Sequence, residues 1–140
     1  MSALESEELR DLYEETSTIA VVGCSANPDK PANKVPRYLQ DVGYRIMPVN
    51  PREEMILGER SPDALGEVDV PVDLVVVFRP ADEAPQIAAD AVSVGARALW
   101  LQDGIVSEEA RRVAEDGGLT VVMDRCVART HGELGLGPGP

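Results

Sequence analysis

Basic residues are scarce in this chain, so their placement is the first sign of chemistry. The 140 residues carry 13 Lys and Arg against 25 Asp and Glu, a formal net charge of −12. The only lysines, Lys30 and Lys34, both follow one apolar run, Thr18 to Gly23. Arg37, Arg52, Arg79, Arg125 and Arg129 lie in or just beyond segments that leave other apolar runs or join them. In an acidic protein, cations gathered in one cleft focus the field on an anionic ligand, and phosphate is the natural one. The competing reading is neutralisation of a solvated acidic surface. The segment Gly23-Cys24-Ser25-Ala26-Asn27 adds a second element of anion chemistry. A strand that ends in glycine and runs into a helix can present backbone N–H groups to phosphate, and Ser25 and Asn27 supply short polar side chains. The segment holds a single glycine, so it is neither G-x-G-x-x-G nor a P-loop. That lowers the rank of nicotinamide dinucleotides and ATP.

The reactive side chains point to binding rather than catalysis. His131 is the only histidine. It precedes a Gly/Pro-rich end with no motif to supply an orienting carboxylate, and is expected at the surface or the ligand edge rather than as a general base. Cys24 and Cys126 are expected to be free thiols. For Cys24, packing beside Gly23 is preferred over a mixed disulfide with a thiol ligand. Asp41, Asp69, Asp73, Asp103 and Asp124 form no recognisable acid–base pair, and no Cys/His cluster offers a zinc site. No catalytic residue and no metal site is assigned.

The elements that must position these residues alternate regularly. Ser2-x-x-Glu5 reads as a capping box opening a helix to about Glu15, with Leu4, Leu9, Leu12 and Tyr13 on its apolar side. This helix packs on its own sheet or on a second subunit. Strands are predicted at Thr18–Gly23, Tyr44–Val49, Val72–Phe78, Arg97–Leu101 and Leu119–Met123. Helices are predicted from about Asn33 to Val42, from Ala81 to Val94, and from Ser107 as N-cap to the Gly117-Gly118 stop. Residues 51–71 are less regular, with a short extended piece near Met55–Leu57 and a helical turn near Pro62–Leu65. Trp100 and Tyr38 read as packing residues. Apolar, β-branched strands separated by helices predict an α/β fold: a doubly wound, Rossmann-like domain with a five-stranded, mainly parallel sheet. One domain is expected over 1–140, with an N-terminal helix in 1–16 and a flexible tail in 132–140. Ligands of such sheets bind beyond the carboxyl ends of the strands, where the winding reverses, and the loops named above all lie there.

Composition narrows the partners. The acidity disfavours nucleic acid. No apolar run reaches the roughly 20 residues needed to span a bilayer, and the polar start does not resemble a signal peptide. A cytoplasmic protein is expected.

The motifs Val21-Val-Gly-Cys-Ser25, Tyr38-Leu39 with Gly43-Tyr44, Pro48-Val-Asn-Pro51, Val77-Phe-Arg-Pro80, Trp100-Leu-Gln102 with Gly104, and Asp124-Arg-Cys126 occur in order from Thr18 to His131. Together they resemble the small stand-alone CoA-binding proteins, similar in fold to the CoA-binding domain of the succinyl-CoA synthetase α subunit. The resemblance implies coenzyme A or an acyl-CoA across the carboxyl edge of the sheet. Gly23, Cys24, Ser25 and Lys34 would face CoA phosphates. Val49, Asn50 and Pro51 would border the nucleotide part. Phe78, Arg79 and Pro80 would flank the adenosine or its phosphates, and Gln102 and Gly104 would lie near the pantetheine arm. The synthetase's phosphorylated histidine and nucleotide-binding partner have no counterpart here. The first reading is therefore a CoA-binding module without a complete catalytic site. Two others stay open: a component of an acyl-CoA ligase or transferase completed by a partner chain, and an NAD(P)-binding regulatory domain with Arg52 as a 2′-phosphate contact.

Overall fold

Continuous runs of β-branched and aliphatic residues give the central strands two buried faces, so helices must cover the sheet on both sides. The computed structural model describes residues 3–138. Its helices are α1 (Ala3–Glu14), α2 (Pro31–Asp41), α3 (Ala84–Ser93), α4 (Glu108–Asp116) and α5 (Val127–Glu133). Its strands are β1 (Thr18–Val22), β2 (Arg45–Val49), β3 (Met55–Ile56), β4 (Glu59–Arg60), β5 (Leu74–Val77), β6 (Ala98–Leu101) and β7 (Thr120–Val122). Strands β2-β1-β5-β6-β7 form a five-stranded sheet in that order, and every pair in it is parallel. The chain is thus a doubly wound α/β protein.

The period of two sorts the strands between two cores. Ile19, Val21, Leu74, Val76 and Trp100 face one side, with Leu9, Leu12 and Tyr13 of α1, Leu39 of α2 and Val127 of α5. Ala20, Val75, Val77, Leu99 and Leu101 face the other, against Ala84, Ala88 and Ala91 of α3 and Ala110 and Ala114 of α4. Alanines on α3 and α4 let those two helices approach each other and the sheet closely. Each fully buried large aliphatic contributes about 1.5–3 kcal/mol. The apolar side of α1 packs on its own sheet. Ser107 caps α4 by accepting the Ala110 N–H at 3.1 Å. The Ser2 half of the capping box expected for α1 lies outside the described residues.

Two expectations need correction and a third is refined. Helix α5 is absent from the sequence reading, and it takes in Gly132 and Glu133, the start of the supposed flexible tail. Leu134 beyond it is buried in the α1/α2 core. His131 is not at the surface: it is 1% exposed, ringed by Tyr13, Tyr38 and Tyr44 with ring centroids 5.4, 5.5 and 5.9 Å away. Its Nδ1 shares a 2.8 Å hydrogen bond with the Tyr38 hydroxyl, while Nε2 is buried with no partner among the described residues. Burial holds the imidazole below its ordinary pKa. Within residues 51–71, the extended piece expected near Met55–Leu57 is there as β3 and pairs with β4 in a hairpin, with Leu57 (φ 52°) and Gly58 (φ 81°) at its turn, and the helical turn expected near Pro62–Leu65 lies slightly later, at Leu65–Glu67.

Candidate functional site

Strand β1 hands the chain to β2 on one side, while β5 lies on its other side. The winding therefore reverses between β1 and β5, and their carboxyl ends part to leave a crevice. A cleft of about 620 Å³ opens there. Of the residues singled out by sequence, Gly23, Cys24, Ser25, Val49, Asn50, Pro51, Phe78 and Arg79 line it.

Gly23 has two reasons to be glycine. Its φ of +88° is strained for any side chain, and a Cβ would sit 2.9 Å from Arg79 Cδ and 3.1 Å from the Phe78 carbonyl oxygen. The β1 loop and the β5 loop thus touch backbone to side chain. Cys24 is fully buried, and burial pushes its thiol up to about 12. It packs in the core and is poorly placed for disulfide exchange, which needs thiolate.

The backbone of the β1 loop is largely engaged within the protein. The Gly23 N–H donates to the Val49 carbonyl at 3.0 Å, and the Ser25 N–H to the Ala32 carbonyl at 3.0 Å. The Asn27 N–H donates to Ser25 Oγ and the Asp29 N–H to Asn27 Oδ1, both at 3.0 Å. At the start of α2, Pro31 has no N–H, and those of Asn33 and Lys34 both donate to the Lys30 carbonyl at 2.9 Å. The amide groups from which the sequence reading expected phosphate binding are therefore mostly satisfied.

Side-chain charge supplies what the backbone does not. Lys30, Arg52 and Arg79 all line the cleft. Arg79 is clamped by Glu83, with Nη2 at 2.8 Å and Nε at 3.1 Å from the two carboxylate oxygens. Their hydrogen bond raises the Arg79 pKa and lowers that of Glu83. Among the described residues, no side-chain hydrogen bond or ion pair engages Lys30 or Arg52. The sequence marks both as cations near this edge; the resemblance to CoA-binding proteins assigns neither to CoA, and Arg52 enters only as the 2′-phosphate contact of the NAD(P) reading. Asp63, Glu83 and Asp90 also contribute to the walls, so the cleft is mixed in sign rather than uniformly basic. A second hollow of about 690 Å³ shares Pro51, Arg52 and Asp63 with it and extends under the β3–β4 hairpin past Met55 and Arg60.

Asn50 lines the cleft with all its polar groups engaged. Its Nδ2 donates to the Cys24 carbonyl at 2.8 Å and its Oδ1 accepts the Arg52 N–H at 2.8 Å. Its own N–H donates to the Pro62 carbonyl at 3.0 Å, and its carbonyl accepts from Ser61 Oγ at 3.3 Å. It ties three loops together.

Four assigned residues lie outside the cleft lining. Lys34 is exposed on α2, one helical turn past Lys30. The helix begins at Pro31 rather than at Asn33, and this shift makes Lys30, not Lys34, the lysine at the cleft. Pro80 is exposed at the head of a 3-10 turn, Ala81–Glu83. Gln102 is buried, its Oε1 accepting the Val127 N–H at 2.9 Å to start α5. Gly104, at φ +81°, donates its N–H to Asp124 Oδ1 at 2.7 Å. The carboxyl ends of β6 and β7 are closed by such contacts, including Trp100 Nε1 to the Arg125 carbonyl at 2.8 Å and Arg129 to Asp103 at 2.8 Å. Among the described residues, no group of three or more His, Cys, Asp or Glu is placed to hold a metal ion, and no helix is long and apolar enough to cross a membrane.

Known proteins are similar to this chain in sequence and in fold. The chain is 38% identical over 124 residues to the uncharacterized protein YneT of Bacillus subtilis, spanning 89% of this chain and 92% of that one. The solved structure of cell-free ID.343 from Thermus thermophilus superposes with a TM-score of 0.88 at 37% identity, covering 92% of this chain and 98% of the other. Acetate–CoA ligase [ADP-forming] II of Archaeoglobus fulgidus is 28% identical over 133 residues, which span 94% of this chain but 19% of the ligase. The CoA binding domain family matches residues 17–132, from the start of β1 through all but the last residue of α5. On that match the chain belongs to the CoA-binding domain family.

Proposed function

We propose that the protein binds coenzyme A or an acyl-CoA in the cleft between the carboxyl ends of β1, β2 and β5, as a module without a complete catalytic site of its own. The observation that carries this reading is the pair of uncommitted cations, Lys30 and Arg52, lining a cleft of about 620 Å³ at the switch point of a chain with net charge −12. Such cations would meet phosphates, while Val49, Pro51 and Phe78 offer an apolar border to the base or ribose. The adjoining hollow under the hairpin gives an extended ligand room to continue. The reading carries with it a reducing, cytoplasmic setting in which Cys24 and Cys126 remain free thiols.

Isothermal titration with CoA, dephospho-CoA, acetyl-CoA, NAD and NADP tests it. Selective binding of CoA or its thioester, with a matching rise in melting temperature by mass action, is the expected result. Tight NADP binding with no CoA response would overturn it. The likeness to the ADP-forming acetate–CoA ligase favours a second reading, in which the module works with a partner that supplies the remaining ligase functions. That reading expects acyl-CoA turnover only when the two chains are mixed.

A further inference from the structure

Helix α2 contains a proline, Pro36, in its interior, where it is buried. A residue in an α-helix normally donates its N–H to the carbonyl four residues earlier, which for position 36 is Ala32. Proline has no N–H, and its ring pushes against that same carbonyl. A helix-interior proline is costly, so a carbonyl left open by one calls for another donor. The donor here is the Ser25 N–H, 3.0 Å from the Ala32 oxygen. The same first turn of α2 holds the other side of that loop residue: Asn33 Nδ2 donates to the Ser25 carbonyl at 2.8 Å. Because the partner atom is a carbonyl oxygen, only the NH2 side of the Asn33 amide can face it.

We propose that Pro36 is a positioning residue for the cleft: by withholding an N–H from the Ala32 carbonyl, it lets α2 grip the Ser25 backbone and fix the Gly23–Ser25 loop. The effect on ligand binding rests on the reading that this loop borders CoA. A residue with an N–H at position 36 would close the helical bond to Ala32 and compete with the Ser25 N–H for the same oxygen, weakening the hold of α2 on the loop.

Pro36→Ala tests this, with Pro36→Val as a second variant closer in volume, should Ala leave a void. The loop is read directly through Cys24, fully buried in the native protein, by its labelling rate with an aromatic disulfide in a Cys126→Ser background. Labelling is expected to accelerate up to about fivefold, and CoA affinity to fall by a similar factor, since weakening the Ser25 bond costs at most the worth of one net hydrogen bond. The melting temperature should hold or rise. A merely structural proline would change the melting temperature while leaving labelling and affinity alone, and that outcome overturns the proposal. Failure of the unmodified protein to bind CoA would overturn the functional reading but not the loop's dependence on Pro36, which the labelling rate decides alone.

Discussion

The carboxyl edge of the sheet has two halves that look alike in sequence and differ in structure. Beyond β1, β2 and β5, the chain leaves a cleft, and two cations on its wall have no side-chain partner among the described residues. Beyond β6 and β7, equally polar residues are engaged within the protein: buried Gln102 starts α5, while at the surface Asp124 holds the Gly104 N–H and Asp103 pairs with Arg129. A polar residue after a strand in a doubly wound fold thus serves either a ligand or the next element. Which one depends on whether the neighbouring loop supplies a partner. Winding decides this. Between β1 and β5 the crossovers diverge to opposite sides of the sheet, so no loop is available to fill the gap. Between β6 and β7 the chain continues in one direction, and α5 packs back over the edge.

The largest effect expected from this contrast is on affinity. Replacing both Lys30 and Arg52 with Ala removes two charge-assisted contacts to phosphate, each of about 1.5–3 kcal/mol, and should weaken CoA binding by roughly a hundredfold or more. Titration at fixed ionic strength measures it, and melting temperature should barely move. Undiminished affinity would place the phosphates elsewhere and break the comparison.

Next in size is the reverse experiment on the closed half. Gln102→Leu leaves the buried Val127 N–H without its acceptor, a loss of about 1–3 kcal/mol of stability. Chemical denaturation should record it, with CoA affinity unchanged in the fraction that stays folded. A fall in affinity at constant stability would return Gln102 to the ligand site, where the resemblance had put it.

Much of the sheet was legible because its signal is local. The runs at Ile19–Val22, Leu74–Val77 and Ala98–Leu101 are apolar throughout, as strands covered on both faces must be. The cleft was legible at the level of its loops, since those follow from where strands end. Three features were not. Helix α5 is short, carries Thr130 and Gly132, and ends in glycine-rich sequence, so its helicity rests on packing of Val127 and Leu134 rather than on propensity. The choice of Lys30 over Lys34 depends on where α2 starts, and Pro31 at its first position was the overlooked mark. The burial of His131 depends on Tyr13, Tyr38 and Tyr44, three residues from elements distant in sequence that no local pattern connects.

That aromatic cage gives a smaller, pH-dependent effect on the side of the sheet served by α1, α2 and α5. Burial depresses the His131 pKa, so the native state binds fewer protons than the unfolded chain below the ordinary histidine value of about 6.5. Stability contributed by the neutral ring is present above that value. It is lost progressively as pH falls from there towards the depressed native pKa. Melting temperatures between pH 8 and 5 should decline, and His131→Phe should flatten the part of the decline above the carboxylate range. An unchanged slope in the variant would assign the acid sensitivity to other groups.

The smallest effects sharpen the comparison most, because they concern two nearly identical ion pairs. Arg79–Glu83 and Arg129–Asp103 each close at 2.8 Å, and both are largely exposed. Exposed pairs of this kind add little to stability, so Glu83→Gln and Asp103→Asn should leave the melting temperature alone. Their effects on binding should differ. Glu83 occupies the Nε and Nη2 edge of a guanidinium that lines the cleft, and an incoming phosphate must compete with it or accept the remaining N–H groups. Glu83→Gln removes that competing charge and should tighten CoA binding a few-fold, with a steeper dependence on salt. Asp103→Asn, at the closed half of the same edge, should leave binding untouched. Equal responses from the two variants would mean that CoA senses only the overall charge of the protein. Unequal responses in the stated order would show that geometry at the switch point separates a ligand site from a strut.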